Sequence, residues 1–203
     1  MSAWPRALVF ALALVPASGL AQAVAPGRVD AVIAATFAHP PAGWASRVAQ
    51  DDTQALCSAS RNNPSVADGD KIMAAAKASI VLPADGKVIG DWKRGEAIAQ
   101  NGRGGQFSDE PNTVSGGNCY ACHKMGKNEI SFGTLGPSLT NYGRLRDFDP
   151  VEAKVTFAKI FNPHAVFACS TMPRFGANKV LTEAQIRDVV GFLFDPASPV
   201  NAP

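Results

Sequence analysis

The segment Cys-Tyr-Ala-Cys-His at positions 119–123 constrains this chain more than any other feature. Two thiols three positions apart, followed at once by an imidazole, form the C-x-x-C-H signature at which c-type haem is attached. The thiols add across the porphyrin vinyl groups, and the adjacent histidine becomes an iron ligand. We therefore expect one covalently bound haem c, with Cys119 and Cys122 as its attachment points and His123 as the proximal ligand.

Two other kinds of site use closely spaced cysteines, and both fit this sequence less well. A zinc site needs about four ligands, and the chain has no second close-spaced cysteine pair. The side chains that could complete a zinc site are distant in sequence: Cys57, Cys169, His39 and His164. A redox dithiol has no use for a histidine at position 123, although it tolerates one. Haem attachment is therefore the favoured interpretation.

The residue expected on the opposite face of the iron lies in a later loop. Met172 is followed by Pro173, so its thioether belongs to an irregular segment that proline stiffens. The alternatives are other nitrogen or sulfur donors, namely His164, Cys169, Met73 and His39. Methionine as sixth ligand raises the haem potential and leaves no position for a substrate. We therefore expect Met172 as the distal ligand and electron transfer as the task.

The first 23 residues are typical of a secretory signal peptide. Arg6 precedes an apolar run over residues 7–15, and small residues near position 22 allow cleavage after Ala23. A membrane anchor is the alternative, but a helix that spans a bilayer needs about 20 apolar residues. We therefore expect an exported, periplasmic protein, which agrees with the attachment of haem c outside the cytoplasm.

The chain has 203 residues and a formal charge of +2, so charge offers no case for binding nucleic acid. Its 18 glycines and 15 prolines, with only 18% charged residues, indicate long loops. We expect three parts: the signal peptide at 1–23, an N-terminal extension at 24–90, and a haem domain at 91–203. The extension is expected to pack on or near the haem domain, with a recognition surface as the alternative.

Local capping signals predict a mostly helical fold around the haem. Asp149 followed by Pro150 predicts a helix start, and Thr182 with Gln185 forms a capping box for the last helix. In the extension, Asp68 is the expected cap of a helix over 69–79. The residues expected to share a face of the helix after Pro150 are Val151, Val155, Ala158 and Phe161.

Two cysteines remain outside the haem motif, Cys57 and Cys169. An even pair in an exported protein favours a structural disulfide between them. A reactive thiol at Cys169, three residues before Met172, is a second interpretation, and two free buried thiols are a third.

The order of these features resembles the class I cytochromes c. The pattern is a helix after Asp91, the C-x-x-C-H motif, the segment GPSL at 136–139, Met172 with its proline, and a terminal helix. The resemblance covers residues 91–195. It implies a class I cytochrome c fold, in which the carbonyl group of Pro137 supports the proximal histidine.

Longer segments are similar to the SoxX family, the small mono-haem subunits of the SoxXA cytochrome. The matching segments are GNCYACH, ISFGTLGPSL, IFNPHAVFACSTMPRFG and LTEAQIRDVVGFL. The resemblance implies a heterodimer with a SoxA-type haem subunit, which joins thiosulfate oxidatively to a cysteine of the carrier protein SoxYZ. The complex is an L-cysteine S-thiosulfotransferase used in bacterial sulfur oxidation.

In that complex the reactive cysteine belongs to SoxA, so no catalytic residue is expected in this chain. The resemblance implies that this subunit takes electrons from the SoxA site and passes them to a small cytochrome c. A stand-alone periplasmic electron shuttle is the alternative. A haem protein that binds gas or peroxide is a third possibility, which needs an open or weakly held iron.

Overall fold

The computed structural model describes residues 25, 27–39, 44–106, 108–110 and 112–202. The predicted signal peptide at 1–23 lies outside the described residues. The chain divides into two compact units, residues 1–49 and residues 50–203. Over the described ranges the regular elements are α-helices and short 3₁₀ turns, without β-strands. The predicted mostly helical fold is therefore confirmed at this level.

Seven α-helices occur in the described part of the chain. They are α1 (Arg28–Thr36), α2 (Ala45–Val48), α3 (Asp52–Ala59), α4 (Val66–Ala78), α5 (Trp92–Gln100), α6 (Pro150–Phe161) and α7 (Glu183–Phe194). Three 3₁₀ turns cover Cys119–Ala121, Arg144–Arg146 and Pro163–Ala165. Helices α1 and α2 belong to the first unit, and no residue of α1 is buried. The remaining elements form the second unit.

The predicted helix starts at Asp149 and Thr182 occur as expected. The Asp149 carboxylate accepts the N–H of Val151, and Thr182 forms a complete capping box with Gln185. The start predicted for α4 was wrong by three residues. The Ser65 hydroxyl, not Asp68, is the cap: it accepts the N–H of Asp68, which lies inside the first turn. Serine and aspartate are comparably good N-cap residues. In this helix the cap is the earlier of the two, Ser65.

Helices α5 and α7 cross at close range and form the centre of the second unit. A Cβ atom at Gly95 would collide with the carbonyl group of Asp188 and lie 2.8 Å from Cβ of Phe192, so only glycine allows this approach. Asp188 accepts hydrogen bonds at 2.8 and 3.0 Å from the Arg94 guanidinium. The side chains of α7 at Ile186 and Phe192 are fully buried. The crossing therefore combines backbone contact, an ion pair and an apolar core.

The apolar face predicted for α6 was only partly right. Val151 and Val155 are exposed, whereas Ala153, Phe157 and Ile160 are buried in the core. The inward face is rotated from the predicted one, because Phe157 and Ile160 are the residues that meet the core side chains of α7. Apolar spacing alone did not distinguish the two faces.

Residues 50–90 belong to the second unit rather than standing apart from it. Helix α4 packs against the 3₁₀ turn Pro163–Ala165. The Asn162 side chain donates a hydrogen bond of 3.0 Å to the Ser79 hydroxyl, just after α4. A second, small core contains Cys57, Ile72 and Cys169, all buried. The early part of the chain is thereby joined to the segment that leads to Met172.

Candidate functional site

The C-x-x-C-H motif begins directly beside the end of α5. Gly117 donates its N–H to the carbonyl of Ile98 at 2.9 Å, and Asn118 donates to the carbonyl of Asn101 at 3.0 Å. Asn118 has a φ of 45°, in the left-handed region that asparagine tolerates better than most residues. The chain then enters the 3₁₀ turn. The motif is therefore fixed to one of the two central helices.

The motif itself is a compact turn. The N–H groups of Cys122 and His123 both point to the carbonyl of Cys119, at 3.1 and 2.9 Å. The thiols of Cys119 and Cys122 are free and half-buried. Burial raises the pKa of the Cys119 thiol to about 12. At neutral pH this sulfur is a protonated thiol, whereas an attacking redox cysteine needs a lowered pKa.

The His123 ring has a defined orientation. Its Nδ1 atom lies 2.7 Å from the carbonyl oxygen of Pro137. A neutral imidazole that donates Nδ1–H to a carbonyl keeps its lone pair on Nε2, the nitrogen that is then available to a metal. This is the arrangement found around metal-bound histidines, where the second ring nitrogen is held by an acceptor.

Gly136 provides the space for that ring. A Cβ atom at this position would lie 2.5 Å from Nδ1 and 2.7 Å from Nε2 of His123, and would also collide with Cε1. Every other residue type would force the imidazole to move. The glycine role was missed from the sequence, where the GPSL segment drew attention to Pro137 only.

The segment at 133–139, which we call the motif-facing segment, runs alongside the motif. Three backbone hydrogen bonds of 2.7–2.9 Å join the two: Gly133 to Tyr120, Gly136 to Cys122, and Leu139 to Lys124, with the first residue donating each time. Gly133 is also required, because a Cβ atom there would collide with the carbonyl of Ala121. Backbone bonds thus hold Pro137 against His123.

Met172 lies in an irregular segment that we call the methionine loop, residues 169–176. Its side chain is half-buried and packs against the main core, as does Cys119. Leu181 connects the two regions. Its side chain and the Cys119 sulfur both lie beside Gly117, and its N–H donates to the carbonyl of Phe175 at 3.0 Å. The structure therefore brings the motif and the methionine loop to one core.

The alternative distal ligands have other surroundings. His164 is buried and accepts the N–H of Cys169 at its Nδ1 atom, 3.1 Å away. Burial lowers the pKa of His164, and the nearby charge of Arg174 lowers it further, which keeps the ring neutral and able to accept that bond. Met73 is half-buried on α4. His39 belongs to the first unit and is exposed.

Cys57 and Cys169 are joined in a disulfide with a Cα–Cα distance of 5.4 Å. Of the three interpretations of this pair, the structure shows the first, a disulfide between the two cysteines. Cys169 therefore offers no thiolate to an iron. The bridge closes a loop of 112 residues and lies three residues before Met172.

The residues at the motif fit a haem by the chemistry of their donor set. Two free thiols flank a turn, an imidazole presents Nε2, and a thioether packs against the same core. Within the described ranges, no three His, Cys, Asp or Glu side chains are grouped so as to hold a metal ion. A haem needs no such group, because the porphyrin supplies four nitrogen ligands and the protein supplies two.

Two contacts were not predicted from the sequence, one beside Met172 and one beside the C-x-x-C-H motif. Arg174 forms an ion pair of 2.6 Å with Asp51, the residue that caps α3. Lys124 lies 5.2 Å over the ring of Phe132 in a cation–π contact. No local pattern could have indicated either, since both depend on how separated segments meet.

Together, fold and site define a mostly helical protein with a C-x-x-C-H turn and a histidine supported by a proline carbonyl. No protein-family model matches the chain. It is 39% identical over 161 residues to a protein of Aquifex aeolicus named an uncharacterized lipoprotein, an alignment that covers 75% of this chain and 73% of that protein. The chain belongs to the same family as this lipoprotein.

None of the helices among the described residues has the length and apolar character needed to cross a bilayer.

Proposed function

We propose that this chain is a c-type cytochrome with a class I cytochrome c fold. Cys119 and Cys122 would attach the haem, and His123 and Met172 would be the ligands of its iron. The observation that carries the proposal is the 2.7 Å contact from His123 Nδ1 to the carbonyl of Pro137. It leaves Nε2 as the ring nitrogen available to a metal, in a chain whose adjacent thiols are both free.

The chain's own residues orient and shield the site. Pro137 holds the ring tautomer, and Gly136 lets the ring lie against the backbone. When bound, the haem supplies one-electron transfer, at a potential that a methionine ligand raises. With protein ligands on both faces, the site leaves no position for a substrate. The chain would therefore pass electrons rather than carry out bond chemistry.

We further propose that the chain is the SoxX-like subunit of a SoxXA heterodimer. The sequence resemblance over residues 162–176 supports this assignment. In the reaction of the complex, a carrier-protein thiol on SoxYZ and thiosulfate form one sulfur–sulfur bond and release one proton and two electrons. The SoxA-type subunit provides the reactive cysteine, and this subunit relays the electrons singly to a small cytochrome c.

The proposed location is the periplasm. The signal peptide over residues 1–23 supports export, and the family relative is itself named a lipoprotein. The four cysteines also support it, because a structural disulfide such as Cys57–Cys169 persists in oxidising compartments.

Haem attachment is tested by expressing the full chain with a cytochrome c maturation system. We expect one haem per chain that survives denaturation and acid–acetone extraction. Cys119→Ala and Cys122→Ala together should abolish covalent attachment. In the oxidised protein a far-red methionine-to-iron absorption band is expected, which Met172→Leu should remove. A chain that carries no covalent haem would refute the proposal.

The subunit assignment is tested by native co-purification and by mixing. We expect a stable complex with a second haem protein, and thiosulfate conjugation to a carrier thiol only when both subunits are present. Conjugation by the isolated chain would contradict the assignment. A monomer that reduces many small cytochromes and recruits no haem partner would instead support the electron shuttle.

A further inference from the structure

Helix α3 is attached to the methionine loop on both sides of Met172. Upstream of the methionine, Cys169 is bridged to Cys57 near the end of α3. Downstream, Arg174 forms its 2.6 Å ion pair with Asp51 at the start of α3. Met172 therefore lies between two links to one short helix.

The upstream link includes a histidine. Cys169 has a φ of 57°, in the left-handed region that is unfavourable for a residue with a Cβ atom. Two interactions stabilise this conformation: the disulfide to Cys57, and the hydrogen bond from the Cys169 N–H to Nδ1 of His164. The backbone direction three residues before Met172 is thereby set by side chains rather than by a helix or strand.

In the downstream link, the Asp51 carboxylate makes two interactions. Asp51 accepts the N–H of Gln54 at 2.8 Å and so caps α3, while it also pairs with Arg174. The Arg174 side chain is 14% exposed and the Asp51 side chain 48%, so the pair is shielded from solvent on the arginine side. The start of the helix and the end of the loop therefore depend on the same group.

The space beside the loop is lined by the same helix. A cavity of about 330 Å³ is bordered by Met172 and Arg174 on the loop, and by Gln54 and Ser58 on α3. The loop backbone is thus not packed solidly on this side. On this side the loop is joined to α3 by the two links at its ends.

We propose that α3 positions the distal methionine: Asp51, Cys57 and His164 are positioning residues that hold the methionine loop so that the Met172 sulfur meets the haem iron. This inference rests on the proposed function. It assigns a role to the chain segment around residues 50–62, which otherwise contributes nothing to the haem motif. None of the three residues touches the iron; each acts through the backbone on one side of Met172.

The test compares the full-length haem protein with a bridge-free variant, Cys57→Ala/Cys169→Ala. Exogenous imidazole competes with a loosely held methionine for the iron. We expect imidazole to bind the variant at least about tenfold more tightly, with a weakened far-red band. We also expect amide hydrogens of residues 169–176 to exchange at least about tenfold faster, while those of α7 keep their rates.

Arg94→Met is the matched control for general destabilisation. It breaks the ion pair to Asp188 at the crossing of α5 and α7, away from the methionine loop. Its imidazole affinity and far-red band should equal those of the parent protein. If this control loosens Met172 as much as the bridge-free variant does, the effect is one of global stability and the proposal fails.

If the bridge-free chain does not fold, two other variants carry the test. His164→Asn keeps an acceptor near the position of Nδ1 and should bind imidazole like the parent, whereas His164→Leu removes the acceptor and should bind it more tightly. Equal behaviour of the two would overturn the proposal. Failure of the proposed function is recognised separately, since the parent would then lack covalent haem or the far-red band.

Discussion

The two sides of the proposed haem site are held by different means. On the His123 side, the motif-facing segment is joined to the motif by backbone hydrogen bonds and by glycines that allow close approach. On the Met172 side, the methionine loop is joined to α3 by a disulfide and an ion pair. The first side uses backbone groups and positions without a side chain, and the second uses particular side chains.

The difference also concerns distance along the chain. His123 and Pro137 are separated by 14 residues, whereas Cys57 and Cys169 are separated by 112. A short loop closes at a small entropic cost, so weak backbone bonds suffice. A contact between remote segments needs stronger links, because ordering a long loop costs more. The structure therefore places its covalent bond across one of its long loops.

The largest expected effect is that of removing the bridge. In the chain-entropy model, closing a loop of 112 residues stabilises the folded state by about 4–5 kcal/mol. Cys57→Ala/Cys169→Ala should lower the free energy of unfolding by about that amount, as measured by urea denaturation. A loss below about 1 kcal/mol would show that the two sides of the site do not differ in this way.

The next effect concerns the His123 side. Gly136→Ala places a methyl group inside the space of the imidazole, so we expect a loss of about 1–3 kcal/mol in unfolding free energy and displaced histidine ligation. Gly69→Ala is the matched control. Its new methyl would lie 3.7 Å from Ala168 in ordinary contact, so α4 should gain about 0.5–1 kcal/mol. Effects of the same sign would contradict the packing argument.

A pH effect should be confined to the Met172 side. Burial and the charge of Arg174 lower the pKa of His164 while Asp51 raises it, and the facing residues of α4 are uncharged. A base with a lowered pKa is protonated more easily when unfolded. The stabilisation is therefore complete above the ordinary pKa of about 6.5 and is lost as pH falls through the folded value.

Urea unfolding at about pH 7.5 and about pH 5.5 measures this dependence. His164→Asn, which cannot titrate, should reduce the drop in stability between the two conditions. His39→Asn, at an exposed histidine of the first unit, is the control and should leave the drop unchanged. If the drop in stability persists in His164→Asn, titratable groups other than His164 cause the pH dependence.

The smallest effect is expected for the ion pair. Asp51→Asn retains a capable cap for α3 but removes the charge that pairs with Arg174, and we expect a cost of at most about 1 kcal/mol. The outward face of the carboxylate is solvated, which limits its contribution. Imidazole competition at the iron should be the more sensitive measurement, because it reports local loosening rather than global stability. An unchanged imidazole affinity would leave the bridge and His164 as the positioning groups.

Sequence reasoning was most successful where structure depends on neighbours in the chain. The helix starts at Asp149 and Thr182 follow from capping chemistry within four residues, and both are confirmed. The cap of α4 was misassigned because Ser65 and Asp68 compete for the same turn. The inward face of α6 was misassigned because it depends on α7, which no local pattern describes.

For the candidate site, too, local features were predicted and contacts between separated segments were missed. The motif residues Cys119, Cys122 and His123 were identified from spacing alone, and haem ligation by His123 and Met172 stays a prediction. The contact of Pro137 with His123 was expected from a family resemblance. Gly136 and the pair Asp51–Arg174 were missed, since their roles exist only after distant or irregular segments have met.

The two cysteine pairs need opposite redox conditions during maturation. The bridge needs an oxidant for Cys57 and Cys169, while vinyl addition needs Cys119 and Cys122 as reduced thiols. Four cysteines allow three complete pairings, and each of them oxidises Cys119 and Cys122. Folding itself can separate the pairs: it brings Cys57 and Cys169 within bonding distance, and it raises the pKa of the half-buried Cys119 thiol to about 12. Because disulfide exchange proceeds through the thiolate, the folded chain protects Cys119, one of the two thiols that the cofactor requires.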